Sequence, residues 1–125
     1  MSGSEKPELV VELSVAAVDS GGNTGRGRYF YSFTPDIILV TQSPTKLVFK
    51  FSSETESHFS MQDFVTSDSK YQLSEVVKST DGRSFTMLNQ NTQKTLISIS
   101  VLVKDTKMDV LINCDPQMPN IPVVG

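Results

Sequence analysis

Residues 95–114 read TLISISVLVKDTKMDVLINC, and apolar side chains alternate with polar ones along both halves of this segment. Such a period of two is typical of β-strands that bury one face, and Asp105-Thr106 between the halves favours a chain reversal. Pairing the halves about that turn places Cys114 opposite Ile97 and keeps both apolar sets on one face. The segment therefore predicts an antiparallel hairpin.

The same alternation recurs along the rest of the chain, and no apolar set repeats at helical spacing for long. Turn-forming Gly, Pro, Asn, Asp and Ser residues separate the alternating runs. Short strands at regular intervals predict an all-β fold, an antiparallel, immunoglobulin-like β-sandwich of about 7–9 strands. The predicted strands are 9–15, 29–33, 37–41, 47–51, 59–65, 71–78, 84–88, 95–103 and 108–114.

The composition is that of a globular chain, with 125 residues, 20% of them charged, and a formal net charge of -3. Lys and Arg are scattered and form no basic stripe, which argues against nucleic acid as a partner. Residues 1–14 show no apolar signal segment, and no run approaches the roughly 18 apolar residues of a membrane helix. With Cys114 as the single cysteine, we expect one cytoplasmic domain without a membrane partner.

The last predicted strand leads directly into the Asp115-Pro116 bond. An Asp carboxyl can attack its own carbonyl carbon or activate a water there, and the tertiary amide nitrogen of proline leaves comparatively readily. A neutral lysine amine nearby could instead capture the activated acid as an isopeptide. The bond also has an unreactive interpretation, because proline has no N–H for a ladder and can simply end a strand.

The predicted hairpin register selects the residues around this bond. It places Asp115 opposite Leu96 on the outer face, with Lys94 as the diagonal neighbour. Ser98 and Asn113 lie opposite one another beside that pair in the same register. The candidate reacting residues are therefore Asp115 and Lys94, with Asn113 and Ser98 in supporting positions.

The C-terminal segment 113–122 reads NCDPQMPNIP and is preceded, far earlier, by Phe33-Thr34-Pro35. On a β-rich chain of this length, these motifs resemble the small bacterial DP-EP family. The resemblance implies a β-sandwich of aspartic-peptidase type that cuts its own chain between Asp115 and Pro116, with the Asp joined to a lysine. Residues 1–115 would then form the sandwich, and residues 116–125 a tail that is released or retained.

Other sites are less well supported by the residues present. A blue-copper centre needs two histidines besides a thiolate and a weak methionine ligand, whereas His58 is the one histidine to combine with Cys114 and Met118. The paired Asp-Thr-Gly-like loops of a two-aspartate protease do not occur in the sequence. We expect no metal and no cofactor, and the alternative to self-cleavage is a non-enzymatic binding or structural sandwich.

Overall fold

The computed structural model describes residues 7–122, which form nine β-strands and no α-helix. The all-β prediction is therefore confirmed for this part of the chain, in which no helix is long and apolar enough to cross a membrane. In chain order the strands are β1 (Glu8–Ala17), β2 (Tyr29–Thr34), β3 (Thr45–Phe51), β4 (Phe59–Thr66), β5 (Leu73–Lys78), β6 (Ser84–Asn89), β7 (Thr95–Asp105), β8 (Val110–Cys114) and β9 (Gln117–Asn120).

The strands form two sheets that share one hydrophobic core. The first sheet has the order β2-β1-β3-β6-β5, in which β1 and β3 run parallel and the other neighbours antiparallel. The second sheet has the order β4-β7-β8, and β9 also pairs with β7. The arrangement is sandwich-like, because alternate side chains from both sheets meet in the same buried cluster.

The period of two seen in the sequence sets which side chains enter this core. Along β7 every second residue from Ile97 is buried, and the matching residues of β8 are Ile112 and Cys114. Burying these apolar side chains in one cluster with those of the first sheet supplies the main driving force that holds the sheets face to face. The opposite face of β7 stays open to solvent and carries Ser98 and Ser100.

The strands β8 and β9 are two parts of one extended segment. Cys114 lies opposite Val101 and Gln117 lies opposite Ser98, so both strands pair with β7 in a single antiparallel register. The segment departs from ladder geometry only around Pro116, which has no N–H to donate. The predicted boundary between a domain and a tail after Asp115 thus falls between β8 and β9, which both pair with β7, and residues 123–125 of that tail lie outside the described part.

The predicted strand 37–41 is wrong as a full strand. Ile37 and Val40 instead form isolated parallel bridges to Gln117 and Asn120 of β9. The segment is short, because Pro35 precedes it and Ser43-Pro44 follows it, and proline cannot donate to a ladder. It nevertheless covers the edge of β9, which therefore lies between two neighbours.

Candidate functional site

The register predicted for the last hairpin is wrong by four residues. Cys114 lies opposite Val101 rather than Ile97, and the loop between β7 and β8 spans residues 106–109. A shift by an even number keeps the same side chains on the same face, so the alternation of apolar residues is satisfied in both registers. Continuing the observed register places Asp115 opposite Ser100 instead of Leu96.

The side chain of Asp105 determines where the hairpin turns. Its Oδ1 accepts hydrogen bonds from the backbone N–H of Lys107 at 2.9 Å and of Met108 at 3.2 Å, as Asp does at the first position of many turns. Asp109, at the end of the loop, has a φ of 57°, a conformation that Asp tolerates better than most residues. These two aspartates are the signal in the sequence that would have given the correct loop.

The Asp115 carboxylate is held by two donors on the outer face of the second sheet. Ser100 Oγ donates to Asp115 Oδ1 at 2.7 Å, and Asn113 Nδ2 donates to Oδ2 at 3.3 Å. Asn113 thus lies where a supporting residue was predicted, although it stands opposite Leu102 and not Ser98. Ser100 was missed, because the incorrect register placed it too far along β7.

The carbonyl group of Asp115 faces the open edge of the sheet. In antiparallel pairs the backbone groups of successive residues point alternately toward and away from the partner strand. Ile99 N–H donates to Pro116 O at 3.3 Å, so the backbone N–H and C=O of the preceding residue, Asp115, point away from β7. The outward carbonyl of Asn113 accepts from Thr24 Oγ1 at 2.7 Å, and that of Gln117 accepts from Ile38 N–H at 3.0 Å.

Between these two satisfied carbonyls, the Asp115 carbonyl oxygen has no hydrogen-bond donor among residues 7–122. The nitrogen of Pro116 has no hydrogen to donate, so the carbonyl of Ile99 opposite it also lacks this ladder partner. Neither atom of the Asp115-Pro116 amide is therefore committed to a ladder hydrogen bond. The missing N–H of Pro116 can be predicted from the sequence, whereas the outward direction of the Asp115 carbonyl follows from the register.

A groove of about 490 Å³ opens onto this bond from the outer face. It lies where β4 ends beside β7, and both the exposed Asp115 and the buried Pro116 line it. Water can reach the carboxylate along this groove. The lining residues are Val65, Thr66, Ser67, Ser98, Ile99, Ser100, Asp115, Pro116 and Gln117.

The two remaining predicted site residues have different outcomes. Ser98 lines the groove but stands opposite Gln117, and its backbone N–H donates to Ser67 Oγ at 3.0 Å. Lys94 precedes β7, next to Thr95, which is the partner of Asn120. Lys94 lies six positions from Ser100, about 20 Å along the strand. The register argument that made Lys94 a neighbour of Asp115 is therefore wrong.

A second polar cluster lies at the opposite end of β7. Tyr29 of the first sheet donates through its hydroxyl to Asp105 Oδ2 at 2.6 Å, deep in the interior. His58 Nε2 lies 3.7 Å from Asp105 Oδ1, and its ring packs 4.3 Å from that of Phe59. The cluster closes the hairpin turn and ties it to the first sheet, so it has a structural role.

Cys114 and Met118 are both fully buried on the inward face of the β8–β9 segment. Burial, with a smaller effect from the neighbouring Asp115 charge, raises the pKa of the Cys114 thiol to about 12. Such a thiol stays protonated at neutral pH and is a poor nucleophile and metal ligand. Within residues 7–122 no group of three or more His, Cys, Asp or Glu side chains could hold a metal ion.

No protein-family model matches this chain, and a search of curated proteins finds no similar sequence. The geometry of the Asp115-Pro116 bond must therefore carry any statement about function.

Proposed function

We propose that this protein cuts its own chain between Asp115 and Pro116 in a single-turnover reaction of aspartic-peptidase type. The observation that carries the proposal is that the amide group between Asp115 and Pro116 makes no hydrogen bond within residues 7–122. Its carbonyl oxygen has no donor among the described residues, and its nitrogen has no hydrogen. Forming a tetrahedral centre at the Asp115 carbonyl carbon therefore breaks no ladder hydrogen bond. The strands on both sides of this bond, β8 and β9, are paired with β7.

The reaction can follow two routes, which differ in the first step and each consume one water overall. In the first, a carboxylate oxygen of Asp115 bonds to its own carbonyl carbon, the bond to the Pro116 nitrogen breaks, and that nitrogen takes a proton from water. Water then opens the resulting cyclic anhydride to give two carboxyl groups. In the second, the carboxylate takes a proton from a water in the groove, and this water attacks the same carbon.

Ser100 and Asn113 act in this proposal as positioning residues. By binding one carboxylate oxygen each, they restrict the side-chain rotation of Asp115 and keep it on the face that the groove opens. No described residue donates to the carbonyl oxygen, and each such donor typically accelerates acyl chemistry by about 100- to 1,000-fold. The reaction is therefore expected to be slow.

Hydrolysis, rather than a crosslink to Lys94, is the outcome that we propose. A lysine amine that traps the activated acid has to lie within bonding reach, whereas Lys94 is at the far end of β7. The two outer-face positions diagonal to Asp115 on β7 are Ser98 and Leu102. Neither can form an isopeptide.

Intact mass after incubation at neutral and mildly acidic pH tests the proposal. We expect two fragments, 1–115 and 116–125, whose masses sum to that of the chain plus one water, and a faster reaction in acid, where the departing nitrogen is protonated more readily. Asp115→Ala removes the intramolecular carboxylate and should slow cleavage by at least about a hundredfold. Pro116→Ala restores an ordinary secondary amide and should also stop it.

The matched control is Asp109→Asn, which changes an exposed carboxylate in the same hairpin. It should cleave like the parent chain. Cleavage in water labelled with oxygen-18 separates the two first steps, because an anhydride places the label in either carboxyl group of Asp115, whereas direct attack places it in the new terminal carboxylate only. A chain that keeps its full mass through weeks of incubation would refute the proposal.

The alternative is an unreactive sandwich that serves a binding or structural purpose, and the same mass measurement decides between the two. Three further statements stay predictions from the sequence alone: the immunoglobulin-like arrangement, the relation to the DP-EP family, and the cytoplasmic location. None is needed for the chemistry at Asp115, which depends on the local geometry of one bond.

A further inference from the structure

The strand β9 occupies a slot with hydrogen-bonding edges on both sides. On one side it pairs antiparallel with β7, from Ser98 opposite Gln117 to Thr95 opposite Asn120. On the other side the segment 37–40 runs parallel to it. Ile38 N–H donates to Gln117 O at 3.0 Å, Val40 N–H donates to Pro119 O at 3.0 Å, and Ile121 N–H donates to Val40 O at 2.9 Å.

The slot also recognises alternate side chains of its occupant. Pro116, Met118 and Asn120 point inward and are buried, whereas Gln117 between them is exposed. Asn120 makes two reciprocal hydrogen bonds with Asn89 of the first sheet, at 2.7 and 2.9 Å. An apolar pocket for Met and an amide partner for Asn, two residues apart, therefore define the sequence that fits.

An empty slot would be strongly unfavourable. The N–H groups of Ile38 and Val40 and the amide of Asn89 would lose their partners, and the space filled by Met118 would become an apolar cavity. Buried polar groups without partners and unfilled core space each destabilise a fold. The slot therefore requires an extended peptide with these side chains, but nothing in its geometry requires that peptide to belong to the same chain.

We infer that this slot is a peptide-binding site that accepts, by strand addition, the C-terminal strand of a second copy of this chain in place of its own. Main-chain pairing supplies affinity in such sites and alternate side-chain pockets supply specificity. While the resident strand is covalently attached, its high effective concentration excludes a competing peptide. In the unmodified protein the exchange therefore rests on the proposed function, because cleavage at Asp115 removes that advantage.

The binding site itself can be tested without any cleavage. The full chain carrying Asp115→Ala, which does not cut itself, is further changed by Met118→Asp, so that a charge expels the resident strand from its pocket. A fluorescent synthetic peptide of residues 116–125 is then added, and anisotropy and the thermal midpoint are measured. We expect saturable binding and a midpoint that rises with peptide concentration.

The controls separate specific binding from adhesion. The parent Asp115→Ala chain, with its slot filled, should not bind the peptide, and a peptide carrying Asn120→Ala should bind about tenfold more weakly or worse, because two buried hydrogen bonds are lost. A second acceptor chain with Asn120→Ala in place of Met118→Asp covers the case in which the charged variant does not fold.

The inference is overturned if neither acceptor chain binds the native peptide at millimolar concentration, or if the parent chain binds it equally well. Both results are independent of the self-cleavage assay, because every chain in this experiment lacks the Asp115 carboxylate. If the chain with Asp115 intact keeps its full mass in the self-cleavage assay while an acceptor chain binds the peptide, the proposed function is refuted and the peptide-binding inference stands.

Discussion

The buried Asn89–Asn120 pair should be one of the most sensitive points of this fold. It joins β6 of the first sheet to β9 of the second, and both side chains are completely buried. Asn120→Ala removes both reciprocal hydrogen bonds and leaves the Asn89 amide nitrogen with only the sulfur of Met118, at 3.6 Å. The buried amide then lacks a strong acceptor.

The expected size of the effect follows from these contacts. An unpaired buried polar group costs about 1–3 kcal/mol, and the space left by the truncated side chain adds to this. We expect Asn120→Ala to lower the free energy of unfolding by about 2–4 kcal/mol, a large part of the ~5–15 kcal/mol of a typical domain. Asn89→Ala should cost at least as much, because the backbone N–H of Asn91 also donates to Asn89 Oδ1, at 3.0 Å.

Urea unfolding of both single variants and of the double variant measures the coupling. All chains should carry Asp115→Ala, so that cleavage cannot contribute. Removing both amides together leaves fewer unpaired groups, so the double variant should be less destabilised than the sum of the single ones by about 0.5–3 kcal/mol. The assigned pairing would be contradicted if the two single effects on the free energy of unfolding simply added, or if either single variant lost less than about 0.5 kcal/mol. The comparison requires that the dependence of this free energy on urea concentration is the same in all variants.

Three further predictions concern the other titratable groups in the interior. Burial, assisted by the hydrogen bond and charge of Asp105, raises the pKa of Tyr29 from 10.0 to about 12. The stability that this group contributes should therefore be lost as the pH rises from 10 through 12. Tyr29→Phe should abolish that loss, as measured by unfolding at a series of pH values. Burial raises the pKa of Asp105, but the hydrogen bonds from Tyr29 and from the backbone of Met108 and Lys107, with the His58 charge, outweigh it and hold the pKa below 3.8. The stability from Asp105 is therefore present above pH 3.8 and should be lost on acidification through its lower folded-state value. Cys114 should resist alkylation at pH 8 in the native protein and react fully in denaturant; rapid native labelling would show that the β8–β9 segment opens readily.

Much of the fold could be predicted from the sequence, because the alternation of apolar residues directly reports which face of a strand is buried. The limit of that signal is shown by the last hairpin. Registers that differ by four residues bury the same side chains, so Cys114 enters the core in both, and only the turn chemistry of Asp105 and Asp109 distinguishes them. The choice of Lys94 over Ser100 followed from that one ambiguity.

The slot around β9 could not be predicted, because its two edges come from distant parts of the chain. Proline at positions 116, 119 and 122 argues against a central strand when the segment is considered alone. In the structure, the carbonyl groups of Gln117 and Pro119 accept hydrogen bonds from the segment 37–40, and Pro119 has no N–H that would need a partner there. A proline is acceptable at 119 because Val40 N–H donates to its carbonyl oxygen, so the segment 37–40 requires only an acceptor at this position.

The position of Pro116 between two strands that both pair with β7 changes what cleavage would accomplish. A cut in a free tail releases a peptide, whereas a cut here leaves β9 with four cross-strand pairs to β7, hydrogen bonds to the segment 37–40, and a buried Met118. These interactions have to offset an association cost of about 4–15 kcal/mol, so the ten-residue product is retained or lost according to how well the slot is filled. The chemical step and the departure of the strand are therefore separate events, which Asp115 and Asn120 control independently.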